Sequence, residues 1–121
     1  MNWTATSAIL LALAVALGAF GAHGLQGRLD AYSLGVYEKA VFYHFIHALG
    51  MLAVPLLVRA GLISESTGKW TGWLLLSGIV LFSGSLYLLA LTGVTVLGAI
   101  TPIGGLAFLL GWACLALAAL L

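Results

Sequence analysis

Two histidines three positions apart occur in residues 43–50, YHFIHALG, inside a run that is otherwise apolar. Imidazole titrates near neutral pH in its unperturbed state and ligates metals through either ring nitrogen. Tyr37, Ala40, His44, His47, Met51, Val54 and Val58 follow each other at intervals of 3, 4, 3, 4, 3 and 4. That spacing draws one stripe along a helix, so both histidines point the same way. An ionisable side chain in an oily helix faces protein or a cavity, because facing lipid is costly. His23 ends the preceding apolar run in GAFGAHGL. If the two helices are antiparallel, His23 lies near the surface that the second helix enters, with His44 about one to two turns inside it. The predicted polar cluster is therefore His23, His44, His47, Tyr43, Tyr37 and Glu38.

Four uses fit such a cluster. The histidines hydrogen-bond across helices to Ser, Thr or backbone carbonyls. Alternatively, His23, His44 and His47 ligate Zn, Cu or Fe. A third use is axial ligation of a noncovalent haem by His23 with His44 or His47, since no c-type attachment motif is present. The fourth is a cavity in which imidazoles handle protons or a small substrate. No cofactor is predicted; a metal or haem stays an open alternative. The chain has no nucleophile–base triad, phosphate loop or nucleotide motif, which argues against an enzyme.

The elements that hold these residues follow from composition. The chain has 121 residues, 64% of them hydrophobic, with four basic and three acidic side chains. A soluble domain is about a quarter charged, so lipid must solvate most of this surface. A net charge of +1 supplies no basic field for nucleic acid. The single cysteine, Cys114, excludes an intramolecular disulfide and reads as a small apolar packing group.

Four apolar stretches are each long enough to cross a bilayer, which takes about 20 residues: 3–22, 36–60, 70–91 and 101–121. The first lacks a preceding Lys or Arg and is read as a retained helix rather than a signal peptide. Between the first two, a short interfacial helix over 29–34, or a loop, is expected. Gly61 suits a helix C-terminus, Ser64 or Ser66 a cap, and Thr101 with Pro102 an N-cap and first helical residue. The expected fold is all-α: a single four-helix transmembrane bundle over 1–121. Lys and Arg tie at two on each side, so charge leaves its orientation open. Pro55 is expected to kink the second helix, and Trp3, Trp70, Trp73 and Trp112 to anchor at the interfaces.

Helices in lipid associate through close backbone approach at small residues. Ala14, Gly18 and Ala22 recur every fourth position, with Gly21 and Gly24 beside them. Ser77, Gly78, Ser83, Gly84 and Ser85 cluster in the third stretch, and Gly104, Gly105, Ala107 and Gly111 in the fourth. Gly18, Gly21, Gly24, Gly84, Gly104, Gly105 and Gly111 are the predicted packing glycines.

GAFGAHGL, YHFIHAL, FSGSLYLLALTG and GAITPIGGLAFLLGW, in this order, resemble domain of unknown function family 423, the YgdD/YwdK-like or transmembrane protein 256-like small membrane proteins. The resemblance runs from about Ser7 to Trp112. It implies a four-helix protein of the bacterial inner (plasma) membrane, with mitochondrial relatives in animals, and it supplies no activity. Gly21, His23, Gly24, Tyr43, His44, His47, Ser83, Gly84, Ser85, Tyr87, Thr101, Pro102, Gly104, Gly105 and Trp112 match its motifs. The expected function is a non-enzymatic membrane component that contacts the lipid bilayer and associates with itself or other membrane proteins. The alternative is a ligand-, ion- or proton-handling protein built on the histidine/tyrosine cluster.

Overall fold

Helix boundaries are set by short polar residues at the edges of the apolar runs. In the computed structural model, which describes residues 1–121, the Asn2 side chain accepts the Ala5 N–H at 3.0 Å and starts helix α1, Trp3–His23. Asp30 accepts the Ser33 N–H at 2.7 Å and starts α2, Ala31–Arg59. That hydrogen bond holds the Asp30 carboxyl below its ordinary titration range. Ser64 accepts the Thr67 N–H at 3.1 Å and starts α3, Glu65–Gly78. A π-helical turn, Ile79–Ser83, joins α3 to α4, Gly84–Thr92, as one continuous third span. After a 3₁₀ turn, Thr95–Ala99, α5 runs Thr101–Leu120. Gly61 at φ 73° and Gly93 at φ 72° end α2 and α4 in the left-handed region, where a Cβ is strained.

Four helical spans are long and apolar enough to cross a membrane, as expected. Of the two alternatives for the first connection the loop is found, since Asp30 caps α2 directly and Leu34 belongs to its first turns; two other local expectations are corrected. The packing of Leu29, Leu34 and Val36 against buried Leu25, Tyr37 and Ala90 draws that segment into the bundle. Thr101 is not the N-cap of the last helix. Ile100 holds that position without a side-chain cap, and the Thr101 hydroxyl lies 2.6 Å from Ser85 Oγ across the helices instead. Trp112 is not near a helix end: it lies halfway along α5, over Gly50. Trp3, over Gly72, lies with exposed Trp70 and Trp73 at one end of the bundle. Pro55 lies within α2, which continues past it to Arg59.

Consecutive spans pack side by side: α1 on α2, α2 on the third span, and the third span on α5, while α1 and α5 make no comparable contact. The inner spans therefore supply most of the core. One buried cluster joins Ala48, Met51, Leu75, Ile79 and Phe108; the other joins Leu25, Tyr37 and Ala90. The closest approach is at Gly104, where a Cβ would overlap the Phe82 nitrogen and the Leu81 carbonyl carbon. No side chain can be accommodated between two backbones at that separation. Gly18, Gly21 and Gly111 also face neighbouring helices, against Val41, Tyr37 and Leu75. Gly24 meets Phe20 of its own helix, Gly105 has Phe82 at ordinary contact distance, and Gly84 has open space around it. Ser77 and Ala22 are exposed.

These contrasts separate glycines required by space from glycines that are not. Gly104→Ala is expected to destabilise the bundle by ~1–3 kcal/mol, the usual cost of overpacking. Gly84→Ala should be neutral or slightly stabilising, because alanine is the better helix former. Thermal unfolding of both variants in mild detergent checks the pair.

Candidate functional site

The α2 stripe is the inward face of the bundle. Tyr37, Ala40, His44, His47, Ala48, Met51 and Val54 are its buried residues. The polar groups on this face find different partners. The Tyr37 hydroxyl donates to the Leu17 carbonyl on α1. One turn on, the Ala40 carbonyl accepts from Ser83 Oγ at 2.8 Å. The next turn brings His44, whose Nδ1 lies 2.8 Å from the Tyr87 hydroxyl on α4. Tyr87 in turn sits edge-on to the Tyr37 ring, with centroids 5.3 Å apart. His47 Nδ1 lies 2.8 Å from the Tyr43 carbonyl within α2.

Although they share a stripe, the two histidines have different surroundings. The carbonyl oxygen of Tyr43 only accepts, so His47 carries its proton on Nδ1 and leaves a lone pair on Nε2. Its ring stacks on Phe108 of α5 at 3.5 Å between centroids and 11° between planes. His47 Nε2 makes no hydrogen bond, and it is not among the polar atoms sealed inside the protein. His47 lines a groove of about 550 Å³ walled by Tyr43, Phe82, Gly105, Phe108 and Trp112. His44 is buried differently. Its Nε2 is sealed from the outside and unpartnered, with the backbone of Leu10 on α1 facing it outside hydrogen-bonding geometry.

His23 does not join them. It is exposed at the end of α1, as is Glu38 on the outer face of α2. No three His, Cys, Asp or Glu side chains come together as a ligand set, so the geometry does not assemble the His23–His44–His47 site considered from sequence. Tyr37 and Tyr43 do lie with the two buried histidines. The π turn places Ser83 and Phe82 against α2, and neither was singled out as part of the site from sequence. Phe108 was missed as well, although Gly104, Phe108 and Gly111, spaced by 4 and 3, mark the buried face of α5.

Apolar outer faces, four spans and a paired polar interior define a multi-pass α-helical membrane protein. The chain belongs to the family described as protein of unknown function DUF423, whose profile matches residues 17–105. It is 53% identical over 111 residues to the UPF0382 membrane protein SERP0230 of Staphylococcus epidermidis, covering 89% of this chain and 86% of that one. It is 50% identical over 114 residues to the UPF0382 membrane protein YwdK of Bacillus subtilis, covering 93% and 90%. These bacterial relatives and the four spans place it as a multi-pass inner-membrane protein. No solved structure matches the chain.

Removing one partner of the His44–Tyr87 pair leaves the other unsatisfied, so His44→Phe and Tyr87→Phe should each cost ~1 kcal/mol. The double variant should cost less than the sum of the two. A double-mutant cycle by denaturation in detergent measures this coupling; strict additivity would show that the pair contributes nothing.

Proposed function

We propose that this protein binds a hydroxyl-bearing lipophilic molecule that enters from the bilayer into the groove between α2 and α5. The observation that carries this reading is the His47 lone pair. With Nδ1–H committed to the Tyr43 carbonyl, Nε2 accepts and does not donate. A ligand that satisfies it must therefore bring a donor, such as an alcohol or phenol. The aromatic walls of Tyr43, Phe82, Phe108 and Trp112 suit a flat or ring-shaped body. A volume of about 550 Å³ lies within the usual range of small-molecule sites. Placing the acceptor among apolar walls raises the cost of leaving it unmet. Of the four uses open to the cluster, the reading is ligand handling at a single nitrogen.

The decisive comparison is between a photoreactive alkylphenol and its methyl ether in proteoliposomes. The phenol should label the segments around Tyr43 and Phe108 about three to ten times more strongly, the equivalent of one hydrogen bond of ~1 kcal/mol. His47→Phe should remove the difference. Equal labelling by the ether would overturn the reading.

Self-association is a second reading, supported by a different surface. Most of the glycines expected to join subunits are used inside the fold, but Ala8, Ala12 and Ala16 form an exposed row on α1 at four-residue spacing. Such a row permits close approach of a second helix. Cross-linking in native membranes should give a dimer that Ala12→Ile weakens; monomer alone in the wild type would exclude it.

A further inference from the structure

We infer that a file of internal water reaches His44 from one membrane face, through the seam where α1, α2 and α3 meet. This site is separate from the His47 groove. Three buried side-chain polar atoms have no partner: Ser7 Oγ, Thr71 Oγ1 and His44 Nε2. Ser7 and Thr71 are 0% exposed and His44 is 3% exposed. Hydroxyls in helices ordinarily return to the carbonyl four residues back. Thr6 and Thr92 do so here, to Asn2 and Leu88, but Ser7 and Thr71 do not.

By their positions along α1, α3 and α2, the three residues step inwards from one face. At that face is an open cavity of about 680 Å³ whose lining includes Asn2, Trp3, Arg59, Glu65, Gly68 and Lys69. These charged and polar groups mark the aqueous face. Ser7 is one turn beyond Trp3 and Thr71 one turn beyond Gly68, both towards the membrane centre. The Trp3 ring lies against Gly72, which brings the two helices together at that level. One turn past Ser7, Leu10 packs with the cluster that contains Leu75, one turn past Thr71. The Leu10 backbone then faces His44. The rise from Ser7 to Leu10 is about 5 Å, a distance spanned by one or two waters. Interior waters take about three hydrogen bonds from groups that would otherwise be unsatisfied, and hydroxyls, an imidazole nitrogen and the Leu10 carbonyl are such groups.

In this arrangement the Tyr87 O–H donates to Nδ1 and the neutral ring carries its proton on Nε2. The consequence is water access. Water in the file accepts a hydrogen bond from the His44 Nε2–H, which brings the ring into contact with water from one side of the membrane. The titratable and charged groups on this route are Tyr87 on α4, Arg59 on α2, Glu65 and Lys69 on α3, and the amino group of Met1 ahead of α1; α1 itself contributes none.

Water-edited solid-state NMR of histidine-labelled protein in bilayers tests this directly. The His44 ring signal should grow from water magnetisation as fast as that of exposed His23. Ser7→Ala with Thr71→Val, which removes both hydroxyls, should abolish the fast growth while leaving that of His23 unchanged. Slow growth at His44 in the wild type would overturn the inference, with Ser7 and Thr71 then bonded to the Trp3 and Thr67 carbonyls. If the double variant fails to fold, the wild-type comparison of His44 with His23 still decides.

Discussion

Lipid offers no hydrogen bonds, and α2 carries four polar groups in a row on its inward face. In hydrocarbon an unpaired polar group costs several kcal/mol. The arrangement of the other helices meets part of that demand and leaves His44 Nε2 unpartnered. Helix α1 contributes the Leu17 carbonyl to Tyr37, the π turn contributes Ser83 to the Ala40 carbonyl, and α4 contributes Tyr87 to His44. His47 uses the carbonyl of its own helix. Helix α2 is therefore a packing partner for both α1 and the third span.

The π turn links this polar ladder to the groove. One wide turn between Gly78 and Gly84 replaces the regular α-helical pattern. Ser83 then reaches the Ala40 carbonyl, while Phe82 lies 4.4 Å from Tyr43 between ring centroids. On its other side the backbone at Leu81 and Phe82 is exposed to close approach, and Gly104 of α5 occupies that place. Phe108, one turn along α5, is carried by this contact over Gly78 and onto His47. A single irregular turn thus positions a hydrogen bond, a helix crossing and one wall of the groove. π turns often mark functional sites for this reason.

Two histidines one turn apart consequently serve separate environments. His47 stacks on Phe108 and lines an aromatic groove, the site proposed for a lipid-phase ligand. His44 is sealed, tied to Tyr87, and aligned with unpartnered hydroxyls leading towards charged groups at the membrane face. The assignment of roles depends on what each ring nitrogen meets, since the two side chains are chemically identical.

Much of the architecture was legible in the sequence. Four apolar runs with seven charges between or beside them leave only a membrane-spanning all-α fold, because hydration and backbone satisfaction permit little else. The 3,4 spacing of the α2 stripe identified the inward face residue by residue, and Tyr37, His44 and His47 are buried there. The start of α2 at Asp30 lies before the apolar run because a local side-chain cap begins the helix in polar sequence, whereas at Thr101 a tertiary contact to Ser85 takes the hydroxyl from capping. Convergence of His23 with His44 was equally undetermined: a shared membrane depth does not fix the angle at which a side chain leaves its helix. Tertiary structure alone decided the π turn, the stacking of Phe108 on His47, and the three unpartnered atoms. Each depends on the rotation and separation of two helices, and those are set by side chains far apart in the chain.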